Sequence, residues 1–498
     1  MSSIQYLVKS FYLLIKRISL PLSFQKNHAI IAFLLTWTVA CTSSYEEINT
    51  NPNAPIEVQP ALLLRQVIYN YGEEMSYEGF VAGNLLSQHF TMVDFNLFDR
   101  HDLSSPQLGG NPWPVIYGNL RDNELILEMA RSTPVNAVYE GPALILKAFF
   151  AASLTDIYGD VPYFEALKGS DGNTTPIYDS QESIYVNENG ILDNLNKGIE
   201  AISSYNGVQF LEGDILFDGN LRQWIRFANS LKIKYWMRIS DKINVSHELQ
   251  AIFQNQDYIN SSDDNAVFDF TDNPPNSFRM SMLRSGDFNL FVMSKTMENI
   301  LTQLNDNRKT VLFRPNEQGD YFGLNNGPDA ANTSISITDY SLTGTVFRES
   351  TGLLDANFMT SWETIFLLAE AAAKGLISAD PKILYEKAVV DAFEYWSADM
   401  FTDYLAIGSA SYNQENGIAQ IITQKWIANS INGYENWIEY RRTGLPILNQ
   451  VESSLNNGLI PVRMPYPPEE AALNGVNYHL ATVKNNNSIN AKVWWDVD

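Results

Sequence analysis

The chain has 498 residues, 45% hydrophobic and 12% aromatic, enough for two or three average domains or one large helical array. Lysine and arginine number 33 against 57 aspartate and glutamate, a formal charge of -24. An envelope that negative repels phosphate backbones and anionic lipid, which excludes nucleic acid as a partner and polybasic adhesion to membranes. The single cysteine, Cys41, rules out internal disulfides and thiolate metal clusters.

Residues 1–40 carry Lys9, Lys16, Arg17 and Lys26 and no acid. Ala29 to Ala40 is an uncharged apolar run with the length of a signal-peptide core, too short to cross a bilayer. Small Ala40 directly precedes Cys41. The arrangement resembles a lipoprotein signal, cleaved before a cysteine that is then acylated, with Thr38 where leucine is usual. Each buried acyl methylene contributes about 0.8 kcal/mol, so more than one chain gives stable anchoring. Tyr45-Glu46-Glu47 resembles the acidic signal that sends such lipoproteins to the cell surface. Ile48 to Pro60 is rich in Asn and Pro and reads as a tether.

Two helical patterns follow, with Leu63, Val67 and Tyr71 on one stripe and Phe80, Leu85, Leu86 and Phe90 on another. Thr91 to Pro114 is a long irregular segment, and loops of that length inside a compact domain are usually functional or disordered. Pro114 starts a helix carrying Ile116, Leu120, Ile126, Leu127 and Met129. From Leu144 to Ile157 the chain is apolar almost all round, which marks a helix covered on several sides. Gly159 can end it at positive φ, and Pro162 cannot continue it. Ser180, or nearly as well Asp179, is an N-cap for a helical pattern through Ile184, Leu195 and Ile202. Leu221 to Ser240 places Trp224, Ala228, Leu231 and Tyr235 on one face, with Arg222, Arg226 and Lys232 on the other. Between Asn260 and Ala356, Gly, Asn, Asp, Ser and Pro dominate. A helix is expected over Leu290 to Leu304, and short strands at Ala266 to Phe270 and Ser334 to Thr338. Ile365 to Ala373, Gly375, then Leu384 to Val389 read as a helical hairpin whose alanines permit close approach.

Five stretches resemble, in order, the SusD/RagB-type nutrient-binding outer-membrane lipoproteins. They include Leu144 to Leu167, Leu221 to Ser240, Tyr434 to Gly444, Pro461-Val462-Arg463 with Tyr466-Pro467, and Lys492 to Asp496. The resemblance runs from about residue 41 to the end. It implies a mostly α, SusD-like fold with tetratricopeptide-type helical hairpins and a loop-rich insertion with short strands at about 260–356. The expected organisation is a signal peptide over 1–40, a lipid-anchored tether over 41–60 and one domain over 61–498. The implied function is binding of an oligosaccharide, with peptide as the alternative. Delivery would be to a SusC-like TonB-dependent transporter.

Signals of catalysis are sparse. There is no helical His-x-x-x-His pair, no phosphate-binding loop and no nucleophile elbow. His89, His101, His247 and His479 do not lie at metal-ligand spacing, and His101 reads as a solvated loop residue able to donate to a ligand. Asp263-Asp264 lacks the glycine and terminal glutamate of an EF-hand loop. Asp156 and Asp160 are spaced like an acid/base pair, but the resemblance implies a structural turn. Arg441 and Arg442 are expected to lock helices through carboxylates such as Glu435 or Glu439. No catalytic residue, metal or cofactor is assigned, and Cys41 is the lipidation site.

Binding has better material. Sugar C–H faces pack on aromatic rings while hydroxyls seek amides and carboxylates at the rim. The first loop offers Phe95, Phe98 and Trp113 with Asp94 and Asn96. The insertion offers Phe278, Arg279, Tyr321, Phe322 and Tyr340. The two loops are expected to act as a pair. The rival readings are an all-helical glycan-degrading enzyme and a structural lid of the transporter.

Overall fold

In a computed structural model, residues 59–496 are described, apart from 105–107, 330 and 332–333. The expected signal peptide, Cys41 and nearly all of the tether lie outside them. The helices that position the rest are α1 (Pro60–Glu78), α2 (Trp113–Ser132), α3 (Glu140–Tyr158), α4 (Ile191–Ser204), α5 (Leu221–Arg238), α6 (Lys295–Leu304), α7 (Ser361–Ala373), α8 (Pro381–Tyr395), α9 (Gly417–Ala428) and α10 (Gly433–Thr443). Among the described residues, four short strands pair as two antiparallel ribbons: β1 (Phe90–Met92) with β3 (Phe291–Met293), and β2 (Ala266–Asp269) with β4 (Asp355–Met359). The fold is mostly α, as the apolar periodicity predicts.

Helix α3 is the centre. Leu146, Ala148, Phe150, Ala151 and Leu154 are buried on every side of it, so a sequence without a polar face becomes a helix without a solvent face. It packs against α2 and, most extensively, against α4. With the turn before it, this helix is long and apolar enough to cross a membrane, but 78% of that window is buried inside the protein; it is a core helix. Gly159 ends it at φ 82°. The α7–α8 pair is the second heavily packed hairpin, with Thr360 and Asp380 capping its two helices.

The turn after α3 is structural. Asp156 is buried and its Oδ1 accepts from Tyr185 Oη (2.6 Å) and Trp495 Nε1 (2.7 Å). Asp160 Oδ1 accepts from the Gln181 amide (2.9 Å), capping the next segment. Arg441 stacks over Trp437 at 3.9 Å and donates to the carbonyls of Val462 (2.7 Å) and Asp156 (2.5 Å). These two bonds run to backbone oxygens, while the carboxylates of Asp156, Asp496 and Glu435 act on its charge, Glu435 being one of those expected. Arg442 does bind Glu439, and Glu370 besides.

Three local expectations are corrected. The two patterns over 61–90 form one run, in which α1 passes through a π-helical turn at Gly79–Gly83 into Asn84–Leu86. The helix expected from Leu290 begins only at Lys295, because Ser294 caps it by accepting from the Met297 amide (2.9 Å). The apolar run before Ser294 is strand β3, and a short fully buried strand has no period to separate it from a helix. Ser334 to Thr338 is not a strand; Ile337–Asp339 is a single 3-10 turn.

The β2–β4 ribbon sets Asp269 opposite Asp355. Burial first, then the charge and hydrogen bond of Asp269, push the Asp355 carboxyl up from 3.8 to about 7. A folded value raised this way gives stability that is present below the unfolded value and lost as pH rises through about 7. Asp355→Asn is thus expected to be more stable than the parent by roughly 1–2 kcal/mol at pH 8, after discounting for solvent on the exposed Asp269 side. The gap should shrink at pH 5, as urea denaturation at the two pH values would read. A pH-independent difference would contradict the shared proton.

Candidate functional site

The two loops singled out in the sequence meet on the β1–β3 ribbon. Phe90, Thr91 and Met92 pair with Met293, Val292 and Phe291. The insertion adds further rungs: the amide of Met293 donates to Ser341 O (2.8 Å), Lys295 N to Leu324 O (2.8 Å) and Ser341 N to Phe322 O (2.8 Å). Beneath lies a small apolar cluster of Val93, Val292 and Leu324, with Ile335, Ile337 and Tyr340 against it. Burial of these side chains holds an otherwise irregular, polar segment in place.

Asp99 ties the loops together. Its buried carboxylate accepts from Thr91 Oγ1 (2.6 Å), Asn326 Nδ2 (2.7 Å), and the amides of Gly327 (2.8 Å) and Met92 (3.2 Å). Burial raises its pKa, while these four donors act in the opposite direction. Asn96 Nδ2 adds a bond to Pro328 O (2.6 Å). A third segment joins through Arg100 Nε to Ser453 O (2.8 Å) and the Leu455 amide to Arg100 O (2.6 Å).

Two aromatic rings stand out from this brace. Phe322 is 43% exposed, and Tyr340, half-buried, lies stacked on it with centroids 5.8 Å apart and planes 20° apart. Lys295 Nζ sits 4.7 Å from the Phe322 centroid and pairs with Glu298 at 2.7 Å. Phe95 is 62% exposed on a turn at φ 50°, with its amide donating to Asp94 Oδ1 (2.8 Å). A phenylalanine in the left-handed region is uncommon, and the tight turn is what pushes its ring outward.

The other sequence candidates are placed elsewhere. Phe98 is buried against Gly110, where a Cβ would come within 2.6 Å of its ring. Trp113 is buried edge-on to Tyr158 at 4.9 Å. Asn96 is buried and spends its amide on the brace. Phe278 packs in the core against Phe270 and Phe80. Arg279 is ion-paired with Glu74 and lies 4.5 Å over the Tyr77 ring, so it secures the insertion to α1. His101 is not solvated: it is buried with Nδ1 3.0 Å from Leu459 O, and burial lowers its pKa to about 4. Lys295 was not anticipated. A lysine in the first turn of a helix opposes the helix dipole, and that misfit is the signal that marks it.

A family described as starch-binding and associating with the outer membrane, SusD-like, matches residues 52–467. The chain belongs to the SusD-like family. Solved structures agree with the assignment. A chitin-binding protein is 24% identical with a TM-score of 0.75, covering 88% of this chain and 100% of its own. A SusD homologue from Bacteroides fragilis is 25% identical with a TM-score of 0.74, covering 88% and 99%. A chitin-binding SusD homologue from Flavobacterium johnsoniae is 21% identical with a TM-score of 0.74, again covering 88% and 99%. A search of the curated proteins finds no match. The SusD-like match spans α1 to α10 and all three braced segments, so Phe95, Phe322 and Tyr340 fall inside it.

Proposed function

We propose that this SusD-like protein is a surface receptor for an oligosaccharide, held to the outer membrane by lipid on Cys41, that hands its ligand to a SusC-like TonB-dependent transporter. The observation that carries the binding reading is the stack of exposed Phe322 on half-buried Tyr340, hydrogen-bonded to the β1–β3 ribbon through their segments. A sugar ring can lay its C–H face on such a surface without reordering the protein, which keeps the entropic cost of binding low. The family description and the chitin-binding structural relatives point to the same ligand class. Release needs no chemistry: a ligand held on one exposed face leaves when the transporter binds it better.

Calorimetry of the purified protein with chitotriose and maltotriose tests this. Phe322→Ala with Tyr340→Ala is expected to weaken binding at least about tenfold, the equivalent of about 1.4 kcal/mol, with a modest fall in melting temperature from the apolar contacts Tyr340 gives up. Unaltered affinity would remove the ring pair from the site. Labelled palmitate incorporation that persists in Cys41→Ala would remove the anchor, and purified outer membranes in which the protein does not accompany a large β-barrel would remove the transporter. Release of reducing sugar by the purified protein would replace receptor with enzyme.

A further inference from the structure

A cleft of about 550 Å³ is lined by α6 and α9, by Tyr385 of α8 and by the segments around 408–416 and 446–449. That volume falls within the roughly 300–1,000 Å³ of small-molecule sites. In a protein of charge -24, not one lining residue is ionisable as an acid, lysine, arginine or histidine. Neutrality on this scale disfavours ions, phosphates and charged peptides and leaves hydrogen bonding as the source of selectivity.

The walls are fixed by side chains that are already committed. Gln420 Nε2 donates to Ser409 O (3.0 Å) and Ser411 O (2.8 Å), and its Oε1 accepts from the Asn413 amide (2.8 Å). Gln88 does the same on the other side, bonding Asn449 O (2.7 Å) and the Asn449 amide (2.9 Å). Against this frame Asn299, Gln303, Asn416 and Thr423 line the cleft, and their side chains hydrogen-bond to none of the described residues. Ile300, Leu304 and the 76% exposed Ile447 supply apolar surface beside them.

We propose that this cleft is a second binding site, for a neutral saccharide. Amides and hydroxyls both donate and accept, as sugar hydroxyls require, and the aliphatic patch suits a sugar's C–H face. A peptide is a poorer fit, because both long walls are helices whose backbone groups are used internally and give an incoming strand no ladder to join. The proposal extends the carbohydrate reading to a different place in the fold. The cleft and the ring pair share only the first turns of α6, where Lys295 serves the ring and Thr296 the cleft.

The test is calorimetry with chitotriose and maltotriose on the parent, on Gln303→Ala with Asn416→Ala, and on Phe322→Ala with Tyr340→Ala. The replaced polar side chains are exposed, so melting temperatures should match. Two binding events are expected in the parent, one weakened at least tenfold in the cleft variant and retained in the ring variant. A single event untouched in the cleft variant and lost in the ring variant overturns this proposal and leaves the ring site standing. A single event with the opposite behaviour upholds the cleft and overturns the ring site. No saccharide binding to any form overturns both. Binding of N-acetyl-triglycine amide in the cleft, in place of both saccharides, overturns the ligand class.

Discussion

Replacing Arg442 by methionine is expected to cost about 3 kcal/mol of unfolding free energy at pH 8. Its guanidinium, 1% exposed, bridges α10 to α7 by donating to both oxygens of Glu370 (2.7 and 2.6 Å) and to both of Glu439 (3.0 and 2.7 Å). The surrounding charges form one network. Lys234 pairs with Glu363 (2.9 Å) and Glu435 (3.0 Å), Arg238 with Glu435 (2.5 Å), and Lys425 with Glu439. Burial alone would raise the Glu370 carboxyl, but Arg442 and then the nearby lysines hold it down at about 2. Taking out one member of a buried set costs about 3–5 kcal/mol because the partner charge stays behind without compensation. The lower end applies here, since Lys374 remains 3.1 Å from Glu370 and Lys425 remains on Glu439.

The pH dependence separates this account from a packing defect. In the parent, the depressed Glu370 value gives stability that is present above the unfolded 4.5 and is lost as pH falls toward about 2. In the variant both carboxyls become poorly compensated, their folded values rise, and protonation relieves them. The difference between the two proteins should therefore be smaller at pH 5 than at pH 8. A loss below about 1 kcal/mol, or one that is constant with pH, would show that the network is not what holds α7 to α10.

The second large effect is expected from a single methyl group. Where the π-helical turn after α1 crosses the start of α10, a Cβ on Gly83 would lie 2.1 Å from the Tyr434 nitrogen and 2.4 Å from the Gly433 carbonyl carbon. A Cβ on Gly433 would likewise meet the Asn84 nitrogen at 2.1 Å. Both neighbours are backbone, so neither can rotate away, and the two segments must separate. Overpacking a core typically costs about 1–3 kcal/mol, and backbone obstruction puts Gly83→Ala at or above that upper end. Gly118 is the control: it lies within α2 with nothing inside 4 Å of its Cβ position. Gly118→Ala should stabilise by about 0.5–1 kcal/mol through helix propensity alone. Equal denaturation midpoints for the two variants would refute the close crossing.

Much of this architecture is readable in the chain because it rests on local pattern. The absence of a polar face over Leu144 to Ile157 predicts the central helix, Gly159 and Pro162 predict its end, and Ile365 to Val389 predicts the hairpin. The site is less legible. Phe95 and Phe98 lie three residues apart in the same loop, yet one is 62% exposed and the other 5%. No periodicity orders a loop, so nothing in the composition tells which ring is core. That choice is made by long-range partners, such as Gly110 beneath Phe98 and the Pro328 carbonyl that fixes Asn96. His101 is missed for the same reason, since its partner Leu459 is 358 residues away. The amides of the α6–α9 cleft come from stretches separated in sequence and become a set only after the helices pack.

Asp99 also limits how the protein can be altered. Because one carboxylate is shared by Thr91, Asn326 and Gly327, and the 453–455 segment is tied to neighbouring Arg100, these segments form a single exchangeable cassette. Grafting the Asp99 segment alone into a relative would leave its buried carboxylate without the Asn326 and Gly327 donors. If the ring pair is the proposed site, new ligand preferences must then be acquired either by replacing the whole cassette or by changing only the rings that project from it.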